Sequence, residues 1–485
     1  MASVFKDTIT TIRKWTWHHF FVFVLTFFAY AFFHACRKAF SNIKDTMAKS
    51  ITPQNSQNST EPYYPYKTWN KEHMFETLND ANVFLGILDT LFMFAYAVGL
   101  FISGVLGDRI NLRYMLTFGM CGSAIITFLF GYLNDVIHMQ NKYYYYSLFF
   151  LNGLFQSIGW PATVAIMGNW FNKSSGGLVF GLWSGNASVG NIFGSLIVAS
   201  SLNYGYPNGM LLNSVLLFCG GVIVFFCLII HPNHVGLETS DEIDSSKLVE
   251  NDVQIQTKKA IGFIQACLIP GVLAYSLSHA CIKLVNYTFF FWLPTYLAQG
   301  LHWEDDRSDE LSNFYDIGGI IGGVAAGVIS DMMRVRSPIV CIMLLLSMGS
   351  LYLYSIAGGN YVTNVALMIV VGVFVGGPAN TISTAITADL GKHDKIKDNA
   401  EALSTVTGII DGTGSFGAAI GQYLVPVINS HLGWHAVFYF LIIMAGCSLI
   451  CIFPIFCKEI VCLVNHVKET RGYVKLKHVI NENSA

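Results

Sequence analysis

Two polar stripes, each carrying a cation inside an apolar run, hold most of the chemistry in this chain. The first is Tyr30, His34, Arg37 and Ser41; the second is Ser276, His279, Lys283 and Asn286. Steps of three and four residues put each set on one face of a helix. A charge at the centre of a membrane helix costs roughly 2.5–3.5 kcal/mol on insertion scales, so such a residue faces a bundle interior, a water-filled path or a partner. Two cations at corresponding places in the two halves of the chain suggest one shared pocket for an anion. The histidines, one turn before the cations, can donate to anion oxygens or titrate at about pH 6.5; a packing and hydrogen-bonding role fits them equally well.

Helices that cross a bilayer must position these stripes, and the composition supplies them. Of 485 residues, 53% are hydrophobic and only 12% charged, against about 25% charged in soluble domains. The mean hydropathy is +0.50. Runs of about 20 apolar residues cross a bilayer, and they fall near 18–41, 82–106, 112–134, 144–170, 178–201 and 208–231. After a polar segment, 232–260, six more lie near 266–298, 311–332, 338–357, 363–390, 401–428 and 434–457. The expected fold is all-α and polytopic, with twelve transmembrane helices in two six-helix pseudo-repeats. Its parts are an N-terminal half, 1–231, with a long loop at 42–80; a linker, 232–265; a C-terminal half, 266–458; and a tail, 459–485. The first apolar run begins at His18 and is too long for the core of a signal peptide, so it is read as a retained span.

The same inventory excludes several functions. The net charge is −2 and the basic residues form no long cluster, so nucleic acid is not an expected partner; the lipid bilayer is. The eleven cysteines have no metal-ligand spacing with nearby histidines, so they read as small packing residues and no metal site is expected. There is no G-x-x-x-x-G-K-[ST] loop, so ATP hydrolysis does not drive the protein; no cofactor, catalytic residue or covalent chemistry is implied.

Lys and Arg placement sets the expected orientation. Lys6, Arg13 and Lys14, the 107–113 and 333–337 turns, the linker and the tail carry the cations, and with twelve spans all fall on one side. Both termini are therefore expected in the cytosol, with 42–80 on the opposite side. That loop carries Asn58-Ser59-Thr60, a glycosylation acceptor on the accessible face.

The halves echo each other weakly. Gly104-Val105-Leu106-Gly107-Asp108 resembles Gly327-Val328-Ile329-Ser330-Asp331, and Gly159-Trp160-Pro161 resembles Gly376-Gly377-Pro378; Asn186 corresponds loosely to Asp411. Six-helix repeats mark a transporter with its site at the interface of the halves. Asp108, Arg109 and Arg113, with Asp331 as the echo, are candidates for gating: glycine lets helices approach closely, and the charges can form pairs that break when the halves rock. Asp89 and Asp316 read as structural acids, and Trp160 as a packing residue. Asp411 stays open between proton coupling and structure, and these acids can offset Arg37 and Lys283 when the pocket is empty.

The G-x-x-x-D-R pattern at Gly104-Asp108-Arg109, with twelve spans, resembles the major facilitator superfamily. The segment Tyr30-Ala31-Phe32-Phe33-His34-Ala35-Cys36-Arg37-Lys38 is similar to the first span of the organophosphate:phosphate antiporters. In that family the arginine matched by Arg37 binds the substrate phosphate, and Lys38 matches the lysine after it. A planar guanidinium binds two phosphate oxygens at once. Phe291-Trp292-Leu293-Pro294, Asp316-Ile317-Gly318-Gly319 and the segment from Ala402 to Ser415 look like the sugar phosphate exchangers, the solute carrier 37 family. Two departures stand out. Bacterial relatives keep an arginine where this chain has Asn286, and the nearest cation is Lys283, a movable point charge. The fifth-span pattern W-N-x-x-H-N-x-G-G keeps Trp183 and Gly190, but Ser184, Ala187, Ser188 and Asn191 stand at its other positions.

The resemblance implies alternating-access transport of a small organic anion with a phosphate or phosphonate-like group, exchanged against inorganic phosphate. Arg37 would bind the anion, Lys38 and Lys283 would add positive field, and Tyr30, His34, His279 and Asn286 would orient the rest. The departures leave two alternatives open: a proton-coupled exporter without phosphate exchange, and a non-transporting sensor or a subunit that needs an accessory membrane partner. The implied location is the endoplasmic reticulum or lysosomal membrane.

Overall fold

The computed structural model describes residues 15–52, 74–137, 139, 141–171, 176–201, 204–237, 259–301, 303, 305–333, 335–391 and 400–482. Asn58 lies outside them. The first six crossings are α1 (Trp17–Ser50), α2 (Leu78–Gly107), α3 (Leu112–Phe128, continued through a π-helical turn to Ile137), α4 (Lys142–Ser157 and Gly159–Trp170), α5 (Gly176–Trp183 and Asn186–Ser201) and α6 (Tyr206–Cys227). Then come α7 (Val272–Thr295), α8 (Asp305–Met333), α9 (Ser337–Ser355) and α10 (Tyr361–Thr381, continued through a π-helical turn to Gly391). The last helical run, Leu403–Glu482, is two helices divided at Gly433, whose φ of 77° only glycine adopts readily. Its parts are α11 (403–432) and α12 (434–482), so the helix extends into the segment expected as a tail. Beyond the helices, the described backbone holds a two-residue parallel pairing of Lys259–Ala260 with Ala400–Glu401.

Eight described stretches are by themselves long and apolar enough to cross a membrane, and one of them, Leu403–Val461, has 59 residues, enough for two crossings. The other three crossings are α4 and α5, which are broken, and α7, which carries the second polar stripe. The helices least suited to lipid are thus among those that face the interior.

Helix pairing repeats between the halves. In the first, α1 packs on α5, α2 on α4 and α3 on α6; in the second, α7 packs on α11, α8 on α10 and α9 on α12. The seam between them is made by α2 against α11 and α5 against α8, which is the same contact with the halves exchanged. Gly104 and Gly408 make the first crossing possible, because a Cβ on Gly104 would stand 2.9 Å from the Cα of Gly408.

Two prolines act on the interior. Pro161 cannot donate to the carbonyl of Ser157, α4 breaks at Ile158, and the freed carbonyl accepts the Ser103 hydroxyl of α2 at 3.0 Å. Pro294 in α7 likewise frees the carbonyl of Phe290. Cys36 and Cys341 are buried as expected of packing residues, whereas Cys219, Cys227 and Cys457 are exposed, so the packing reading does not hold for those three.

Candidate functional site

Both stripes point inward. Tyr30, His34, Arg37, Lys38, His279 and Lys283 are all buried. Arg37 donates from Nε to Gln156 Oε1 of α4 at 3.1 Å and from Nη1 to the Tyr287 hydroxyl of α7 at 2.8 Å. Its guanidinium carbon lies 4.6 Å from the centre of the Tyr96 ring and 5.3 Å from that of Phe92. Its Nη2 has no partner, and neither has Nε2 of Gln156. Two donors therefore flank the Arg37–Gln156 bond with nothing to donate to, and among the described residues no carboxylate pairs with Arg37.

Lys38 reaches across the seam. Its ammonium donates to the Phe290 carbonyl that Pro294 frees, at 3.1 Å, and lies 5.0 Å from the Phe290 ring centre. Tyr30 contacts the Tyr96 hydroxyl at 3.3 Å. Trp160 is buried between Tyr30 and Trp183, with ring centres 4.6 and 5.3 Å away, and its Nε1 has no partner.

The second stripe is engaged differently. Lys283 donates to Asp411 Oδ1 at 2.7 Å and to the Ser415 hydroxyl at 2.9 Å, both on α11. His279 Nε2 lies 3.2 Å from the same Asp411 oxygen, and its Nδ1 has no partner. Lys283 is thus a neutralised cation and Arg37 is not. The two still share surroundings: Lys283 lies 5.6 Å from the centre of the Tyr96 ring and 5.2 Å from that of Tyr287. Asn286 accepts from Tyr315 at 2.6 Å.

His34 Nδ1 meets Asn191 Oδ1 at 3.0 Å, and Asn191 Nδ2 donates to Asp316 Oδ1 on α8 at 2.7 Å. Asp316, read from the sequence as structural, thus bridges the halves. Asp89 pairs with Lys44 of α1, whose ammonium also stands 5.1 Å from the Phe291 ring centre and 5.7 Å from that of Trp292, both on α7.

At the opposite end of α2, the Asp108 carboxylate accepts from the backbone N–H groups of Ser404 at 2.9 Å and Thr405 at 2.8 Å, capping α11 across the seam. Burial raises the Asp108 carboxyl above the ordinary range, against the opposing pull of the Thr405 and Ser404 bonds. Arg109 is exposed, and Nε of half-buried Arg113 has no partner. Asp331 pairs with Arg336 at 2.6 Å, and Arg336 also binds Asp389 at 2.9 Å. Burial opposes the charge of Arg336, but the Asp389 and Asp331 carboxylates hold its pKa above the usual value. The two echoed acids therefore do different things: Asp108 bridges the halves, and Asp331 ties up its own.

Contacts cross the seam toward both ends, at Asp108 and at Lys44. The cavity beside Lys38 and Asp316 measures about 40 Å³, and the one beside Arg37 about 20 Å³. These volumes suit water; organic ligands need roughly 300 Å³ or more.

Sequence reasoning missed Gln156, Tyr96, Tyr287, Asn191 and Lys44. Some signal was present. Tyr287 continues the second stripe one turn past Lys283. Gln156 is an amide in an apolar run, one turn before Trp160. Lys44 follows Ser41 by three residues, beyond where the first span was expected to end, at 41.

The profile of the Major Facilitator Superfamily matches residues 26–397. The chain is 48% identical to Sugar phosphate exchanger 3 of Bos taurus over 95% of its length and 97% of that protein. It is 39% identical to Putative glycerol-3-phosphate transporter 5 of Arabidopsis thaliana over 91% of each chain. Against Glucose-6-phosphate exchanger SLC37A2 of Mus musculus the identity is 37%, over 95% of this chain and 96% of that one.

Proposed function

The chain belongs to the major facilitator superfamily and, within it, to the sugar phosphate exchangers, and from that premise we propose that it moves a small phosphorylated or phosphonate-like organic anion across an internal membrane by alternating access, as an antiporter. The observation that carries this reading is Arg37, a buried guanidinium with no carboxylate partner among the described residues and an Nη2 without an acceptor. A desolvated, uncompensated cation is costly, and an anion that binds it removes that cost. The guanidinium fork and the Gln156 amide would hold the anion, Lys38 and Lys283 would add field, and Tyr287 would let go of Arg37 as the halves separate. The substrate class follows the names of the relatives: sugar phosphates, glycerol 3-phosphate, glucose 6-phosphate. Inorganic phosphate is the proposed counter-substrate, and an endoplasmic reticulum or lysosomal membrane, with both termini cytosolic, the proposed setting.

Proteoliposomes loaded with phosphate test the proposal. The parent takes up labelled phosphate esters, and Arg37→Ala loses uptake by ~10-fold or more, the value of one charge-assisted hydrogen bond. An Arg37→Ala protein that transports like the parent removes the site assignment.

A second reading, proton-coupled export without phosphate exchange, draws on the buried Lys283, Asp411 and His279 cluster. Uptake that needs a pH gradient but no phosphate on the far side selects it.

A further inference from the structure

Arg37 and its neighbours account for an anionic group and leave the rest of a substrate without partners. The cavity beside Lys38 lies between the halves, lined from α1 and α5 on one side and α7, α8 and α10 on the other. Tyr287 belongs both to this cavity and, through its hydroxyl, to the Arg37 site. The walls are the rings of Tyr287, Phe290 and Tyr315; the polar groups between them include the amides of Asn191 and Asn286 and the carboxylate of Asp316.

The bond from Asn191 to Asp316 joins α5 to α8, so opening the seam there breaks it. The Asp316 carboxylate and the Asn191 Nδ2 group then face the opened path and are met by water, while Asn191 Oδ1 keeps His34; a ligand that displaces this water without replacing its hydrogen bonds loses affinity, about 1–3 kcal/mol for each group left unsatisfied. A hydroxyl both donates and accepts, so one polyhydroxylated chain can serve the carboxylate and the amide together. An alkyl chain serves neither.

We infer that this cavity is the seat of the organic part of the substrate and that it takes a hydroxyl-bearing chain or ring, with Asp316 and Asn191 binding the hydroxyls and Tyr287 and Phe290 forming the walls. The inference rests on the reading of Arg37 as the anion site, which puts the phosphate within one side chain of the cavity. It makes Asp316 and Asn191 residues of specificity, where the sequence had suggested a structural acid.

The test compares n-propyl phosphate with glycerol 3-phosphate, three-carbon esters that differ in their hydroxyl groups, as inhibitors of labelled phosphate uptake into phosphate-loaded proteoliposomes. The wild-type protein should prefer glycerol 3-phosphate by ~10-fold or more, and Asn191→Ala and Asp316→Ala should each shrink that ratio to about threefold or less. The ratio is internal to each variant, so differences in amount or rate cancel. For a variant without uptake, protection of the purified protein from thermal unfolding by each ester gives the same ratio. A wild-type protein indifferent to the hydroxyls, or variants that keep the full preference, overturns the inference while leaving the anion site standing. A wild-type protein that neither carries nor binds phosphate or either ester overturns the anion site, and this inference with it.

Discussion

Lys283 of α7 and Asp411 of α11 form a buried ion pair at 2.7 Å, with side chains 5% and 6% exposed. The pair divides the two cationic stripes into one that is neutralised inside the protein and one, at Arg37, that is not.

Breaking that pair from one side should be expensive. Asp411→Ala leaves a buried ammonium with only a hydroxyl and a carbonyl as partners, and a loss of about 3–5 kcal/mol is expected. Replacing both, as Lys283→Met with Asp411→Leu, should recover most of it. Thermal unfolding in detergent reads both; a single variant as stable as the parent would mean that α7 and α11 are held by their packing alone.

Arg37→Lys keeps the charge and loses the fork. An ammonium cannot reproduce the separate bonds to Gln156 and Tyr287 and still offer a free donor pair. The expected result is a rise of ~10-fold or more in the KM for phosphate esters, with the protein still folded. Lysine at this position supporting the parental KM would show that charge without geometry is enough.

The cap on α11 predicts a shift in conformational balance. Asp108→Ala removes both bonds to the Ser404 and Thr405 amides, which should cost about 0.5–2 kcal/mol in the state where the halves touch there. The population open at that end should rise by a factor of ~2–30. Distances between spin labels placed on α2 and α11 measure it, and an unchanged distribution would remove Asp108 from the gate.

At the other end Lys44 does the corresponding work. Its pairing with Asp89 lies within one half, but its ammonium also sits on the Phe291 and Trp292 rings of the other. Lys44→Met with Asp89→Leu removes the charge pair without leaving an orphan, and costs the cross-seam cation–π contacts about 0.5–2 kcal/mol. Cysteine labelling near Trp292 should accelerate in the double variant; labelling at the parental rate would confine Lys44 to a role inside the first half.

What the sequence determined was local or periodic. Apolar runs of bilayer length gave the crossings, and matched spacing gave the two stripes and the echo between halves, because a helix places side chains by count along one chain. Arg37 and Lys283 both stood out because a cation in such a run needs a partner wherever it goes, and the resemblance of the first span to the organophosphate:phosphate antiporters set Arg37 apart. The partners themselves were decided by packing. Lys283 meets Asp411 from 128 positions away, and Asn191 meets Asp316 from 125; no spacing rule links such pairs. Asp108 and Asp331 occupy echoed positions, yet one caps a helix of the other half and the other binds Arg336 beside it. Pro294 was visible as a residue, but that its freed carbonyl receives Lys38 depends on α1 lying against α7. The run of residues determined which charges had to be buried; only the packing of the helices, within each half for Lys283 and Asp411 and also across the seam for Arg37 and Tyr287, decided which of them was left with a free donor for a ligand.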